Sequence, residues 1–461
     1  MHRRQFLKNA ASAALALTIP SMSFRKVHAQ SNPLLFLSFE ASGAWDPTLL
    51  FDPKGADVHS SYYNEEDIFS LSSGLTYAPK SVDAGTPTPY MVGPEATKED
   101  FFAKFENQLV VLRGMDTQTN SHQIGPRHVF SGNIREGNPS FAAMRAAVHE
   151  DTIGSALPMS FLSTGGFDKT ANLVPPARVG NVDAFKDLSE PYRIYARGTN
   201  LTRFFPPSVE DLIKSTQQER AARLATANTT PKVMSAMELL DRARSTEPQF
   251  PALLSSINDF PALSAEESTN PIIPKIQLVL AAMAGGQCVS ANISYGSFDT
   301  HQDHDALHRP RMQTFLDGIE YAHRMLGQLG LLDRTVIIIG SDFSRTTYND
   351  IDPNNDARGK DHWPVTGMMF MGAGIAGGRV IGETDDGQKD DGTYDKGVHA
   401  RKVKLVSDVI EIAEDDDPEA DYIRPPDVIH ALREHFGINN HSLSQKYELG
   451  DTIFPILPLF S

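Results

Sequence analysis

Val289-Ser290-Ala291-Asn292-Ile293-Ser294-Tyr295-Gly296-Ser297-Phe298-Asp299-Thr300-His301-Gln302-Asp303-His304 decides how the rest of this chain is read. The uncharged run from Val289 to Tyr295 predicts a buried strand, and two acids and two imidazoles crowd the residues just past its end. Met312, Phe315, Leu316, Ile319, Ala322, His323, Leu326 and Leu329 then recur at steps of three and four, which predicts one face of an amphipathic helix closed by Gly330. A second β-rich run, Thr335-Val336-Ile337-Ile338-Ile339-Gly340, delivers Ser341-Asp342-Phe343-Ser344-Arg345, and a polar loop leads on to Gly359-Lys360-Asp361-His362-Trp363. In an open parallel sheet the loops at the carboxyl ends of the strands share one edge, so acids far apart in sequence converge there. Asp299 and Asp342 both hold such positions. Either one alone reads as an N-cap or turn residue. Together with His301, His304 and His362 they point to a metal.

Nearer the amino end, Pro33-Leu34-Leu35-Phe36-Leu37-Ser38-Phe39-Glu40 predicts another buried strand, followed by Asp46, which either joins the site or opens a turn before Pro47. Phe51 to Thr97 is rich in Gly, Pro, Ser and Tyr without a period and reads as an excursion over the surface, uninformative about chemistry. Phe101 to Leu112 predicts a short helix and a strand, Leu109 to Leu112. The loop after it carries Thr119, Ser121, two histidines and Arg127. A nucleophile near a helix start gains from the free N–H groups there, while hydroxyls in such a loop equally serve as caps.

From Ser140 to Ala284 the signals weaken. Phe141–His149, Val209–Ala227, Lys232–Arg244 and Ile273–Ala284 read as helices and Pro158–Pro207 as mostly irregular, so residues of about 150–270 are placed as an insertion, like those of about 51–97. Gly367 to Gly374 predicts a further buried strand and Pro426 to Phe436 a late helix.

The first residues carry Arg3-Arg4-Gln5-Phe6-Leu7-Lys8, an apolar run from Ala10 to Ile19 and Val27-His28-Ala29. This order reads as a twin-arginine export signal over residues 1–29, cleaved after Ala29 and handled by the twin-arginine translocase. The apolar run is too short to span a bilayer, and no later run reaches the ~20 residues a span needs. A periplasmic or secreted protein is expected. A single cysteine, Cys288, rules out an intrachain disulfide and leaves stability to the core. The leader holds five cations and no acids, so its removal takes the net charge from −16 to −21. That surface argues against nucleic acid as a partner. An anionic substrate would be drawn by local cations: a metal, Arg127, Arg345 or Lys360.

The order Phe298-Asp299-Thr300-His301, helix, Ser341-Asp342-Phe343-Ser344-Arg345, Asp361-His362, Gly377-Gly378 and a helix closing on His435-Phe436-Gly437 resembles a group of secreted bacterial proteins known as domain of unknown function 1501. That group is similar to the alkaline phosphatase and sulfatase superfamily. The resemblance implies one α/β domain over residues 30–461, a mostly parallel sheet sandwiched between helices, with long irregular insertions. It also implies metal ligands: Asp46, with Glu40 in reserve, Asp299 with His301 or His304, Asp342, and His362. Ser121 or Thr119 falls at or near the attacking position, with Arg127 and Arg345 as cations. Phe343 stands where many superfamily members have a histidine, which leaves one metal site better formed than a second. No Cys/Ser-x-Pro-x-Arg motif surrounds Cys288 or Ser121, so formylglycine sulfatase chemistry is not supported. The expectation is a metal-dependent hydrolase of phosphate or related esters, or else an exported binding or assembly protein that keeps the fold. Oxygen and nitrogen ligands fit zinc or manganese, with calcium and magnesium open.

Overall fold

The computed structural model describes residues 32–55, 63–157, 159–178, 180, 193–194, 202–225, 230–234, 236–237, 240, 260–347, 350–351, 358–389 and 395–460. The export signal, with Arg3 and Arg4, and much of the helix expected from Lys232 to Arg244 lie outside them. Eight strands make one sheet: β1 (Leu35–Ala41), β2 (Val110–Asp116), β3 (Phe161–Ser163), β4 (Ala177–Arg178), β5 (Ser290–Tyr295), β6 (Thr335–Ser341), β7 (Val365–Gly372) and β8 (Arg379–Ile381). Their order across the sheet is β4-β3-β5-β1-β6-β7-β2-β8. Neighbours are parallel except at β7, which runs against both β6 and β2. The helices used below are α1 (Gly125–Ser131), α2 (Phe141–Ile153), α3 (Pro207–Ala225), α4 (Ile273–Ala284), α5 (His304–Gln328) and α6 (Pro425–His435).

All seven residues of β1 are buried, as expected of a strand covered on both faces. Alternation along it shows what covers each face. Phe36 packs edge-on against Phe141 of α2 and Phe436 beyond α6, with ring centroids 4.8 and 5.9 Å apart. Phe39 meets Phe315 of α5 on the other side, at 6.1 Å. Successive side chains point to opposite faces, so Ser38 and Glu40 share the Phe36 side. The fold is therefore mixed α/β, a mostly parallel sheet between helices.

Two expectations change. The stretch from Pro158 to Pro207 is not merely irregular, since β3 and β4 extend the sheet beyond β5. Strands of three and two residues carry too little sequence to show a period. The excursion from Phe51 to Thr97 holds three hairpins, Phe69–Ser70 with Thr76–Tyr77, Ser81–Asp83 with Thr86–Thr88, and Met91–Val92 with Glu99–Asp100. It also bears on the site: buried Tyr63 and Tyr90 donate to the carbonyls of Thr48 and Leu49 at 2.5 and 3.1 Å, clamping the turn that follows Asp46.

The direction of β7 matters most for function. The carboxyl ends of β1, β2, β5 and β6 lie at one edge, and a strand running the other way begins there. His362, just before β7, thus reaches the same edge as residues that follow the parallel strands. No described helix is long and apolar enough to cross a membrane.

Candidate metal centre

Four donor atoms meet at that edge. His362 Nε2 lies 3.1 Å from His122 Nε2, 3.0 Å from His301 Nε2 and 3.2 Å from Asp299 Oδ1. Asp299 Oδ1 is 3.4 Å from His122 Nε2 and 2.9 Å from His301 Nε2. The atoms form two triangles sharing the His362–Asp299 edge, with His122 at one apex and His301 at the other. Donors around a four-coordinate ion with bonds of about 2.0–2.1 Å stand roughly 3.3 Å apart, so each triangle has the size of one face of such a shell. His122, His301 and Asp299 keep 33%, 48% and 46% of their side-chain surface exposed, which leaves the remaining coordination position open to a ligand. Asp361 Oδ1, 3.8 Å from His301 Nδ1, stands behind that ring.

The outer contacts decide which nitrogens carry protons. His122 Nδ1 lies 2.5 Å from Asp342 Oδ2, a carboxylate that can only accept, and His362 Nδ1 lies 3.0 Å from the carbonyl oxygen of Asn120. Both Nδ1 atoms therefore donate, and in the neutral rings both Nε2 lone pairs point inward at each other and at Asp299. Asp342 is itself fixed by the backbone N–H groups of Gly43 and Ala44, at 3.1 and 2.6 Å, and by Ser341 Oγ at 2.8 Å. Arg345, wholly buried, donates to Asp299 Oδ1 at 2.5 Å and to the carbonyls of Gly43, Ala44 and Lys360. Burial opposes ionisation of Asp299, but this guanidinium outweighs it and holds the carboxyl well below its usual range. The Asp342 hydrogen bond raises the His122 value against the effect of burial, whereas burial lowers that of His362. Phe343 packs on both rings, with centroids 4.7 and 4.9 Å away, and so holds the two histidines in position. A Cβ at Gly359 would lie 1.7 Å from the His301 carbonyl oxygen; the bare backbone there lets the two ligand-bearing loops touch.

Of the six residues expected as ligands, Asp299, His301 and His362 come together. Asp342 stands one bond further out, behind His122. Asp46 and His304 join a separate, fully buried ring of hydrogen bonds. Asp46 N–H donates to His308 Nε2 at 2.9 Å, and Thr300 Oγ1 lies 3.1 Å from His308 Nδ1 and 2.7 Å from His304 Nδ1. His304 Nε2 closes the ring on Asp46 Oδ2 at 3.0 Å. Lys360 Nζ reaches the same carboxylate oxygen at 2.6 Å, and Thr48 N and Oγ1 donate to the other at 3.0 and 2.6 Å. Burial lowers the His304 and His308 values, so each ring is neutral and can donate from one nitrogen and accept at the other. This ring pins Thr300, which lies between Asp299 and His301, and Lys360, two residues before His362.

Around the expected nucleophile, Thr119 Oγ1 accepts from Ser121 N at 3.2 Å and Ser121 Oγ from Gln123 N at 3.3 Å, the capping alternative. Arg127 donates to the Ile134 carbonyl and to Glu136, both at 3.1 Å. Arg345 is a pillar under Asp299 and not a surface cation. His122 was missed as a ligand because the hydroxyls beside it drew the reading of the loop; a histidine just past a buried strand was the available signal.

A cleft of about 710 Å³ opens beside His122, lined also by Glu40, Ser42, Arg127 and Lys169. Glu40, the reserve ligand, faces this cleft, and burial pushes its carboxyl up to about 8.

The chain is similar to several solved structures. Ps i-CgsB in complex with k-i-k-neocarrahexaose is 7% identical, with 91% of this chain and 75% of that one covered and a TM-score of 0.37. A sulfatase from Pseudoalteromonas sp. is 12% identical, with 77% and 66% covered and a TM-score of 0.32. A phosphonate monoester hydrolase of Agrobacterium radiobacter is 11% identical, with 88% and 74% covered and a TM-score of 0.31. At such scores the likeness decides nothing about chemistry. No curated protein matches the chain. A family model does, over residues 37–404, and the chain belongs to that family, described as Protein of unknown function (DUF1501).

Proposed function

We propose that this chain is an exported, divalent-metal-dependent hydrolase of phosphate or related esters. The observation that supports it is the pair of inward-facing nitrogens, His122 Nε2 and His362 Nε2, 3.1 Å apart beside an ionised Asp299. Lone pairs and a carboxylate so placed repel one another unless a metal ion or a shared proton lies among them, and the ion is the reading taken here. Two imidazoles and a carboxylate suit zinc or manganese, with calcium and magnesium less suited to nitrogen. His122, Asp299 and His362, with His301 adjoining, would hold such an ion, which would supply Lewis-acid polarisation of an ester oxygen. The chain's own residues prepare that site. Asp342 fixes the tautomer of His122, Arg345 keeps Asp299 ionised, and the cleft beside His122 receives the alcohol part of a small anionic ester. Water is the attacking group in this reading, because the Ser121 and Thr119 hydroxyls are engaged as turn acceptors.

Elemental analysis of the purified protein and turnover of aryl phosphates, phosphonates and sulfates test it together. At least one ester should be cleaved, chelation should abolish the activity and a divalent ion should restore it. Retained metal without turnover would favour the binding or assembly reading, and absence of any metal affinity would remove both metal roles. The export half of the proposal rests on Arg3-Arg4 and the translocase that reads it. Lysine at both positions should hold the precursor in the cytoplasm, and unchanged export by fractionation would reject that route.

A further inference from the structure

The cleft beside His122 has a carboxyl at its floor that the metal cluster does not use. Glu40 is the penultimate residue of β1, only 1% exposed, on the face of the sheet that carries α2 and α6. The loop after β3 closes over it: Phe167 N–H donates to Glu40 Oε2 at 2.7 Å, and a Cβ on Gly166 would fall 2.2 Å from the same oxygen. Gly166 has φ +75°, so this close cover depends on glycine twice, for space and for backbone conformation. Asn292 of β5 secures the loop by donating to the Gly165 carbonyl at 2.7 Å. Two acids act on Glu40, Asp342 just past β6 and Asp168 in the covering loop, the first paired with His122 at 2.5 Å and the second with Arg178 at 2.6 Å. Of the cations that line the cleft, Arg127 is already held by Glu136, and Lys169 follows Asp168 in the covering loop. A carboxyl so buried, with like charges as neighbours, keeps its proton in the neutral range.

We infer that Glu40 is the general acid of this site, giving its proton to the leaving oxygen of an ester whose alcohol part lies in the cleft. The substrates are then esters of aliphatic alcohols, whose alkoxides leave poorly without a proton, and not esters of phenols. The inference rests on the hydrolase reading above. As the bond from the acid centre to the leaving oxygen breaks, its electron pair stays on that oxygen, which takes the Glu40 proton and departs as an alcohol. Water adds its oxygen to the acid centre, and the proton it loses returns through solvent to the Glu40 carboxylate. Gly166 and Phe167 act as positioning residues that hold one carboxyl oxygen, and the Asn292 side chain also bonds the carboxyl, so the two contacts together fix the direction in which its proton is presented.

The test compares metal-loaded wild type and Glu40→Gln on matched alkyl and 4-nitrophenyl esters of whichever acid the enzyme cleaves. General acid catalysis is worth about 10²–10⁴-fold, so kcat/KM for the alkyl ester should fall by that factor, while the 4-nitrophenyl ester, whose anion needs no proton, should lose less than about fivefold. The acid works only when protonated, so wild-type alkyl turnover should decline as pH rises through about 8, and Glu40→Gln should lose that limb. Folding gives a readout independent of turnover. The folded value lies above the ordinary carboxyl value of 4.5, so the stability tied to neutral Glu40 is full below 4.5 and is lost as pH rises through about 8. Urea unfolding of Glu40→Gln should therefore depend less on pH across that window than wild type does. Should the variant fail to fold, the wild type alone still decides: rates across a series of leaving alcohols should vary shallowly with alcohol pKa, and a steep dependence overturns the assignment. Equal losses on both esters would leave Glu40 a merely structural residue. If wild type cleaves no ester at all, the hydrolase reading itself falls.

Discussion

His122→Ala should yield a folded protein that no longer retains a divalent ion, with affinity down roughly 100-fold or more against wild type. The expectation comes from counting donors. His122 supplies one corner of the triangle with His362 and Asp299, and its removal leaves two donors on that side. Asp342→Asn offers a graded companion. It keeps the ring but removes the carboxylate that fixes its tautomer, and changes to such outer partners cost 10–100-fold in metal affinity. The two variants should thus rank wild type, Asp342→Asn, His122→Ala in calorimetric titration with zinc or manganese. Stability separates this account from a plain packing role. Without metal, His122 still holds its 2.5 Å bond to Asp342 and its contact with Phe343, so metal-free His122→Ala should lose some stability, whereas added metal should stabilise wild type and leave the variant unchanged. A variant that binds metal as wild type does, or that added metal stabilises as much as it does wild type, would sink the centre.

Lys360→Met should destabilise the fold by about 3–5 kcal/mol, the usual cost of removing one partner from a buried ion pair. Lys360 and Asp46 have no exposed side-chain surface and meet at 2.6 Å. Without the ammonium, Asp46 keeps its donors from Thr48 and His304, but its charge remains in a dry setting with less to balance it. Combining Lys360→Met with Asp46→Asn should recover part of the loss, because the double variant removes the stranded charge as well. Urea unfolding of the single and double variants measures both terms. A loss below about 1 kcal/mol for Lys360→Met would mean that water or another group reaches Asp46 readily and that the ring is not a rigid support.

The strands that carry the site were legible because each is a run of apolar, often β-branched residues with no charge, as in Val336 to Ile339. Asp299, His301 and His362 were legible only as a set: each alone reads as a turn or cap residue, but acids and imidazoles crowded past strand ends share one edge of the sheet. Three things could not be seen. The direction of β7 leaves no trace in composition, since an apolar strand reads alike both ways. The role of Asp46 turns on Lys360, 314 residues away, and no local pattern encodes that pairing. Asp342 behaves differently from Asp299 although both follow strands, because His122 arrives from a third loop and stands between Asp342 and the open position. Sequence spacing gives the edge of the sheet on which a residue lies; which residue stands in front depends on loop paths that only the folded chain fixes.

The reversed run of β7 also has a kinetic consequence. His362 pairs with Arg345 just past β6, but the cluster also needs His122 from the loop after β2, and β7 joins β2 to β6 only in a pairing that closes a very long loop and must await most of the chain. A nascent or partly assembled chain that stops short of residue 362 holds no complete donor set, so an ion bound there would be a ligand of the finished native state and not of earlier species. Every tenfold excess of free ion over its dissociation constant then adds about 1.4 kcal/mol to native stability while leaving the unfolded chain untouched. Metal supply would therefore act on how long the assembled protein lasts, and hardly at all on how it finds its fold.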